Sequence, residues 1–299
     1  MKEIHCIIVK TSRKIEDWVC FLNENRFKYL IKKPKAIELD MLNVRFIEPY
    51  HVVSLACLIE EYHLKGVKIH FKNTDSKGAM YLKKLKFFQY WIKGFDRTKH
   101  RQTDVGTAFC LWKLHPEMIN SYSTLSKNYY QNQFFSERNL QPLNTTLVEI
   151  FNNIIDHSKS KVSGYVFTQY YPNKNLIILS VCDFGQGIPQ TINKFLKEHN
   201  KNELTHGQAL IKAFEKGFST KSTPHNRGFG LDNVFSVVKA LKSSLQIISN
   251  SGFVQQEGSI LRKIAIKNNF PGTQIVIMLK TKELKPLEIE EISENEFYL

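Results

Sequence analysis

The sequence predicts an α/β (α+β) protein built in two parts, and three observations carry that reading. Strand-like and helix-like hydrophobic periods alternate through the first ninety or so residues. A second alternation, with glycine-rich turns, begins at Pro142 after a polar, basic stretch. With 42% hydrophobic and 12% aromatic residues in a chain of 299, both parts have enough apolar side chains to fill cores.

In the first part, Ile4 to Val9 reads as a strand. Lys14 to Asn25 reads as a helix with Ile15, Trp18, Val19 and Leu22 on one face. Ala36 to Leu42 is a second strand. Pro49 suits a helix first turn, with that helix running to Lys65, where Gly66 stops it. Val67 to Phe71 forms a third strand and Lys77 to Tyr90 a last helix. Residues 93–139 read as a polar connector with some helix, although Ala108 to Leu114 is apolar.

In the second part a helix starts at Pro142, followed by strands Val162 to Tyr171 and Leu176 to Val181 around a Pro172-Asn173 turn. Helices follow near Thr191 to Glu198 and His206 to Lys216, and a third begins near Gly230. Strands Leu245 to Ser249, Ile260 to Lys267 and Thr273 to Leu279 complete it. The chain closes on an acidic tail, residues 283–299.

No apolar run approaches the roughly 18 residues that span a bilayer, and the first residues do not fit a secretory signal, so a cytoplasmic protein without membrane contact is expected. The five cysteines are scattered, with no CxxC pair, and are expected as buried thiols rather than disulfides or zinc ligands. The net charge of +14 suits an acidic partner, although much of it reads as solvated surface. Lys83 to Arg101 interleaves Phe87, Phe88, Tyr90, Trp91 and Phe95 with seven basic residues. It could grip a nucleic-acid backbone; aromatics packed inward with lysines snorkelling outward explain it more economically.

The chemistry-bearing residues lie in the second part. Glu149, Asn153 and His157 fall at four-residue steps, a polar stripe bordering the apolar face of Leu143, Leu147, Ile150, Phe151 and Ile154. A capping box begun at Thr146 would also use Glu149, but Pro142 and Leu143 place the helix start earlier. Nucleoside triphosphate chemistry needs a carboxylate to activate the attacking water or hydroxyl, and an oxygen ligand for magnesium on the phosphates. Glu149 and Asn153 supply both. Asp183, at the end of an apolar strand and followed by Gly185 and Gly187, could accept from the exocyclic amine of adenine. Gly228 and Gly230 precede a helix, where backbone amides can hold phosphate, with Lys221 and Arg227 as charge partners.

Glu149 with Asn153, Asp183-Phe184-Gly185-Gln186-Gly187-Ile188, Arg227-Gly228-Phe229-Gly230-Leu231 and Gly272-Thr273 occur in the order found in the GHKL superfamily, which residues 140–282 resemble. That resemblance implies the Bergerat fold, an α/β sandwich with ATP between a helical layer and a mixed sheet. It implies ATP and Mg2+ as cofactors, Glu149 as general base and Asn153 as magnesium ligand. His157, Asp183, Gly185, Gly187, Ile188, Lys221, Arg227, Gly228, Phe229, Gly230, Leu231 and Thr273 would line the nucleotide site, with a mobile lid between Ile188 and Arg227.

Residues 1–92 resemble the STAS domain of anti-sigma-factor antagonists, although Pro49 and Tyr50 stand where a phosphorylatable serine is usual. Among the superfamily's branches, Asp156 departs from the basic residue usual in sensor histidine kinases, and little chain follows Leu279 to make the transducer domain of gyrase and MutL relatives. His157 and Phe218-Ser219-Thr220-Lys221 resemble the anti-sigma-factor serine kinases. The expectation is an ATPase or serine/threonine protein kinase with a protein partner, itself of STAS type. A non-catalytic ATP-gated interaction module is the alternative, and a nucleic-acid-associated ATPase a less favoured one. A homodimer is expected from the resemblance alone.

Overall fold

The first part folds as β1 (Ile4–Ile8), α1 (Ile15–Glu24), β2 (Ala36–Asp40), α2 (Pro49–His63), β3 (Lys68–Lys72) and α3 (Lys77–Lys84). The computed structural model describes residues 4–157, 162, 164–216, 218 and 231–287. The three strands pair in parallel in the order β1-β2-β3. Strand and helix alternate because parallel neighbours need a crossover between them. Pro49 occupies the first turn of α2, and Ser76 caps α3 by accepting from the Ala79 amide at 3.3 Å. The last helix ends earlier than the periodicity predicts. Lys86 takes φ 61, and Phe87–Trp91 continues as a 3-10 turn that buries Phe87, Tyr90 and Trp91.

The second part supplies β4 (Ala108–Lys113), α4 (Ile119–Phe134), α5 (Gln141–His157), β5 (Tyr165–Tyr171), β6 (Leu176–Asp183), α6 (Ile188–Glu198), α7 (His206–Lys212), α8 (Leu231–Ala240), β7 (Ser244–Asn250), β8 (Gly252–Glu257), β9 (Ile260–Ile264) and β10 (Phe270–Lys280). Its strands form one sheet in the order β4-β5-β6-β10-β7-β8-β9. Every neighbouring pair is antiparallel, so the helix-on-sheet sandwich is as expected while the sheet is antiparallel rather than mixed. The stretch read as a connector contributes the edge strand β4 and the helix α4. Residues 284–287 lead back to the turn between α4 and α5, where Leu287 N donates to Glu137 O at 2.9 Å.

Alternation along the strands divides the core in two. Val181, Ile247, Ile275 and Ile277 face α5 and α8, joining Leu147, Ile150, Phe151 and Val234. Tyr165, Phe167, Cys182, Ile248 and Val276 face the other way and share a core with α2 and the first sheet. The two parts are therefore one packed body, with α2 between the sheets and buried from Pro49 to Tyr62. Such burial suits a segment that is apolar all round, but it also buries two acids. Glu60, fully inaccessible, accepts from Arg97 Nη1 at 2.8 Å, Lys113 Nζ at 2.7 Å and Tyr165 Oη at 3.0 Å. Glu61 takes Arg26 Nε at 2.5 Å and Nη2 at 3.0 Å.

The basic aromatic stretch is part of this joint. Arg97 lies over Trp91 at 5.3 Å, and Tyr90 Oη donates to Leu111 O in β4. The rings on which bases would stack are thus largely committed to the core. Among the described residues no helix is long and apolar enough to cross a membrane.

Removing the carboxylate of Glu60 leaves Arg97 and Lys113 facing a buried, unpaired environment. Glu60→Ala is expected to lower stability by about 3–5 kcal/mol in denaturant unfolding. A loss below about 1 kcal/mol, the range of exposed ion pairs, would contradict this account of the joint.

Candidate functional site

α5 carries the first pair of candidate groups. It begins at Gln141, whose amide is held by Asn139 Oδ1 at 2.8 Å, so Glu149 lies well inside the helix and the Thr146 capping box does not form. Leu143, Leu147, Ile150, Phe151 and Ile154 are buried against the sheet. Glu149 and Asn153 are half-buried at the border of that face. Asn153 Nδ2 donates to Glu149 O, one turn back, at 2.9 Å. That bond identifies which end of the amide is nitrogen and presents Oδ1 as the atom able to bind a cation.

Below this helix, Asp183 ends β6 and stands opposite Thr273 of β10, which in turn stands opposite Ser249 of β7. Each is two residues from an apolar side chain of the α5 side: Val181, Ile275 and Ile247 respectively. The alternation of a strand therefore puts all three polar groups on the face that α5 covers. Ser249 Oγ lies 2.9 Å from Thr273 Oγ1, donates to Gly272 O at 2.8 Å, and accepts from Ile188 N at 3.0 Å. Ser249, which was not expected from sequence, thus links Ile188 to Thr273, the cross-strand neighbour of Asp183. Its signal was present in the alternation of Leu245, Ile247 and Ser249.

The glycines act first on the backbone. Gly272 has φ +126, and a Cβ there would lie 2.2 Å from Asp183 O and 2.7 Å from Gly185 N. Gly187 has φ +85 and a Cβ would lie 2.6 Å from Asn250 Oδ1. These two turns interlock because neither carries a side chain. Gly185 contributes its amide, which donates to Asp183 Oδ1 at 2.7 Å.

Asp183 is 2% exposed. Burial raises its pKa to about 7, opposed by the Gly185 hydrogen bond. With Oδ1 taken, Oδ2 is the oxygen that carries the proton or, once ionised, accepts from a ligand.

Of the remaining expected residues, Leu231 opens α8 and is buried. His157 is the last residue of α5, its side chain outside the described set, as are Lys221, Arg227, Gly228, Phe229 and Gly230. Among the described residues no three His, Cys, Asp or Glu side chains come together to hold a metal. Magnesium keeps most of its waters and takes few protein oxygens beside those of phosphate, so the Asn153 Oδ1 oxygen fits that ion.

Residues 139–283 match the family model described as histidine kinase-, DNA gyrase B-, and HSP90-like ATPase. The matched stretch runs from α5 through β10 and is similar to that family over this length. No curated protein matches the chain.

Asp183 carries a stability signature. Its folded pKa, about 7, exceeds that of an exposed aspartate, so stability falls as pH rises from about 4 to 7 and the full penalty is present above 7. Asp183→Asn does not titrate. Its stability relative to wild type is expected to improve by about 3 kcal/mol between pH 5 and pH 8. A difference that does not vary with pH, measured by denaturant unfolding, would contradict the burial of this carboxylate.

Proposed function

We propose that the domain of residues 139–283 binds ATP with magnesium, and that the chain is a regulatory protein that hydrolyses ATP or passes its terminal phosphate to a protein partner. The observation that carries this is the cross-strand row of Asp183, Thr273 and Ser249 beneath a helix that holds Glu149 and Asn153 one turn apart. The match to an ATPase family model over the same residues supports it.

In this reading Asp183 Oδ2 accepts from the exocyclic amine of adenine, with Thr273 and Ser249 beside it. Glu149 takes the proton from water in hydrolysis or from a serine or threonine hydroxyl in transfer. Asn153 Oδ1 would hold magnesium, which supplies charge neutralisation on the phosphates. The amides of the Gly228–Gly230 turn, with His157, Lys221 and Arg227, are assigned by sequence motif to the phosphates and lid. The N-terminal part is proposed to be STAS-like and to face a protein partner, itself of STAS type.

Packing of α2 against the back of β5 and β6 favours a second reading, in which nucleotide occupancy is transmitted to the N-terminal part without turnover. One experiment separates them. Labelled ATP and magnesium are incubated with the chain and with Glu149→Ala, and free phosphate and protein-bound label are followed separately.

The hydrolase reading expects free phosphate and the kinase reading label on protein, either falling about 100-fold or more in Glu149→Ala with ATP affinity largely retained. ATP binding with neither product identifies the gated module. Equal turnover by both proteins would remove Glu149 from the chemistry. Because protonation of Asp183 Oδ2 removes its role as acceptor, ATP affinity is expected to rise between pH 6 and pH 8. Affinity constant across that range would remove the assigned role of Asp183.

A further inference from the structure

Behind the candidate adenine loop, the N-terminal part grips β6 on both sides of Asp183. Cys57 Sγ of α2 donates to Cys182 O at 3.3 Å. One residue beyond Asp183, the Phe184 ring is covered by Arg26, whose Cζ lies 4.4 Å from the ring centroid. Phe270 meets the same ring edge-on, 6.2 Å between centroids and 75° between planes. Arg26 is 4% exposed, and its Nε and Nη2 form the fork on Glu61. Its Nη1 is buried without a hydrogen-bond partner. The guanidinium is thus oriented by Glu61, and its cationic face is spent on Phe184.

Strand alternation makes this consequential. Side chains 182 and 184 point into the core shared with α2, while 183 points toward α5. Whatever fixes Phe184 from behind therefore fixes how far the Asp183 carboxylate is presented in front. Gly185, the next residue, donates the amide that holds Asp183 Oδ1. A lysine could not reproduce the arrangement, because a planar fork is needed to bond Glu61 along one edge and lie flat on a ring.

We propose that Arg26 is a positioning residue for base recognition. Held by Glu61 against Phe184, it sets the place of the Asp183 carboxylate, so that discrimination of adenine from guanine depends on the N-terminal part of the chain. This rests on the adenine site described above. Neither Arg26 nor Phe184 touches the base in this account. A guanine presents a carbonyl oxygen where adenine presents its amine, so a correctly placed carboxylate both attracts the one and repels the other. A loop free to shift loses that discrimination before it loses its hold on the phosphates.

The test uses the full chain and three variants. Phe184→Leu removes the ring and keeps the Arg26–Glu61 pair. Arg26→Met with Glu61→Met replaces the ion pair by apolar side chains, avoiding a bare buried charge. Phe184→Tyr keeps the ring and serves as the conservative rescue. The readouts are the ratio of ATP to GTP dissociation constants and, without nucleotide, the hydrogen-exchange rate of the Gly185 amide.

Wild type and Phe184→Tyr are expected to prefer ATP. In the other two variants the preference should narrow by about tenfold, with GTP affinity little changed and Gly185 exchange faster by a similar factor. Folded variants that keep the wild-type ratio and exchange rate would overturn the proposal alone. A wild type that binds neither nucleotide would overturn the adenine site and this proposal with it.

Discussion

Complete burial of α2 between two sheets is the constraint from which the rest of the molecule follows. A helix apolar on every side has no stable place on a surface, and here the parallel sheet covers one side and the antiparallel sheet the other. The two acids that end it, Glu60 and Glu61, would be untenable in that interior alone. Arg26, Arg97 and Lys113 converge on them from three separate segments. Such clusters add little net stability over well-packed apolar side chains, but any displacement strands a charge. The joint between the two parts is therefore defined in register as well as in area.

That joint reaches the candidate site through the thickness of one strand. β6 offers alternate residues to its two sides, so the side chains that anchor it behind, Cys182 and Phe184, bracket the carboxylate it displays in front. Asp183 is in turn bounded from the adjacent strand by Gly272, where a Cβ would lie 2.2 Å from Asp183 O, and it stands opposite Thr273, which Ser249 bonds. The carboxylate sits in a buried corner, which raises its pKa and suits it to a single directional hydrogen bond. Glu149 and Asn153, on the half-exposed border of α5, are placed where charged and hydrated groups can approach. In the proposed reading, a buried corner for the base is thereby separated from an accessible end for the phosphates.

Much of this was legible in the residues. Four-residue spacing placed Glu149 and Asn153 on one helix edge, and the glycine-flanked Asp183 marked a strand end. Pairing was not legible, because which strand lies beside which is decided by contacts distant in sequence. Thus Thr273 was named without its partner Ser249, and the convergence of Arg97 and Lys113 on Glu60 had no signal in the residues. β4 was missed because its residues 108–112 are a continuous apolar run buried on both sides, without a period to identify it. β8 was missed because its pattern is interrupted by Gln256, fully buried and bonded to Phe235 O and Gly258 O. In α4 the buried positions include Ser123 and Ser126, which bond their own helix backbone, so its apolar stripe was masked by polar residue types.

The most direct test is a crystal structure of the chain with a non-hydrolysable ATP analogue and magnesium. The adenine amine is expected on Asp183 Oδ2, Thr273 and Ser249 beside the base, and the ion on Asn153 Oδ1 with Glu149 facing the terminal phosphate. A nucleotide seated elsewhere, for instance in the 400 Å3 cavity lined by Leu196, Leu204, Gln208 and Ile211, would contradict that placement.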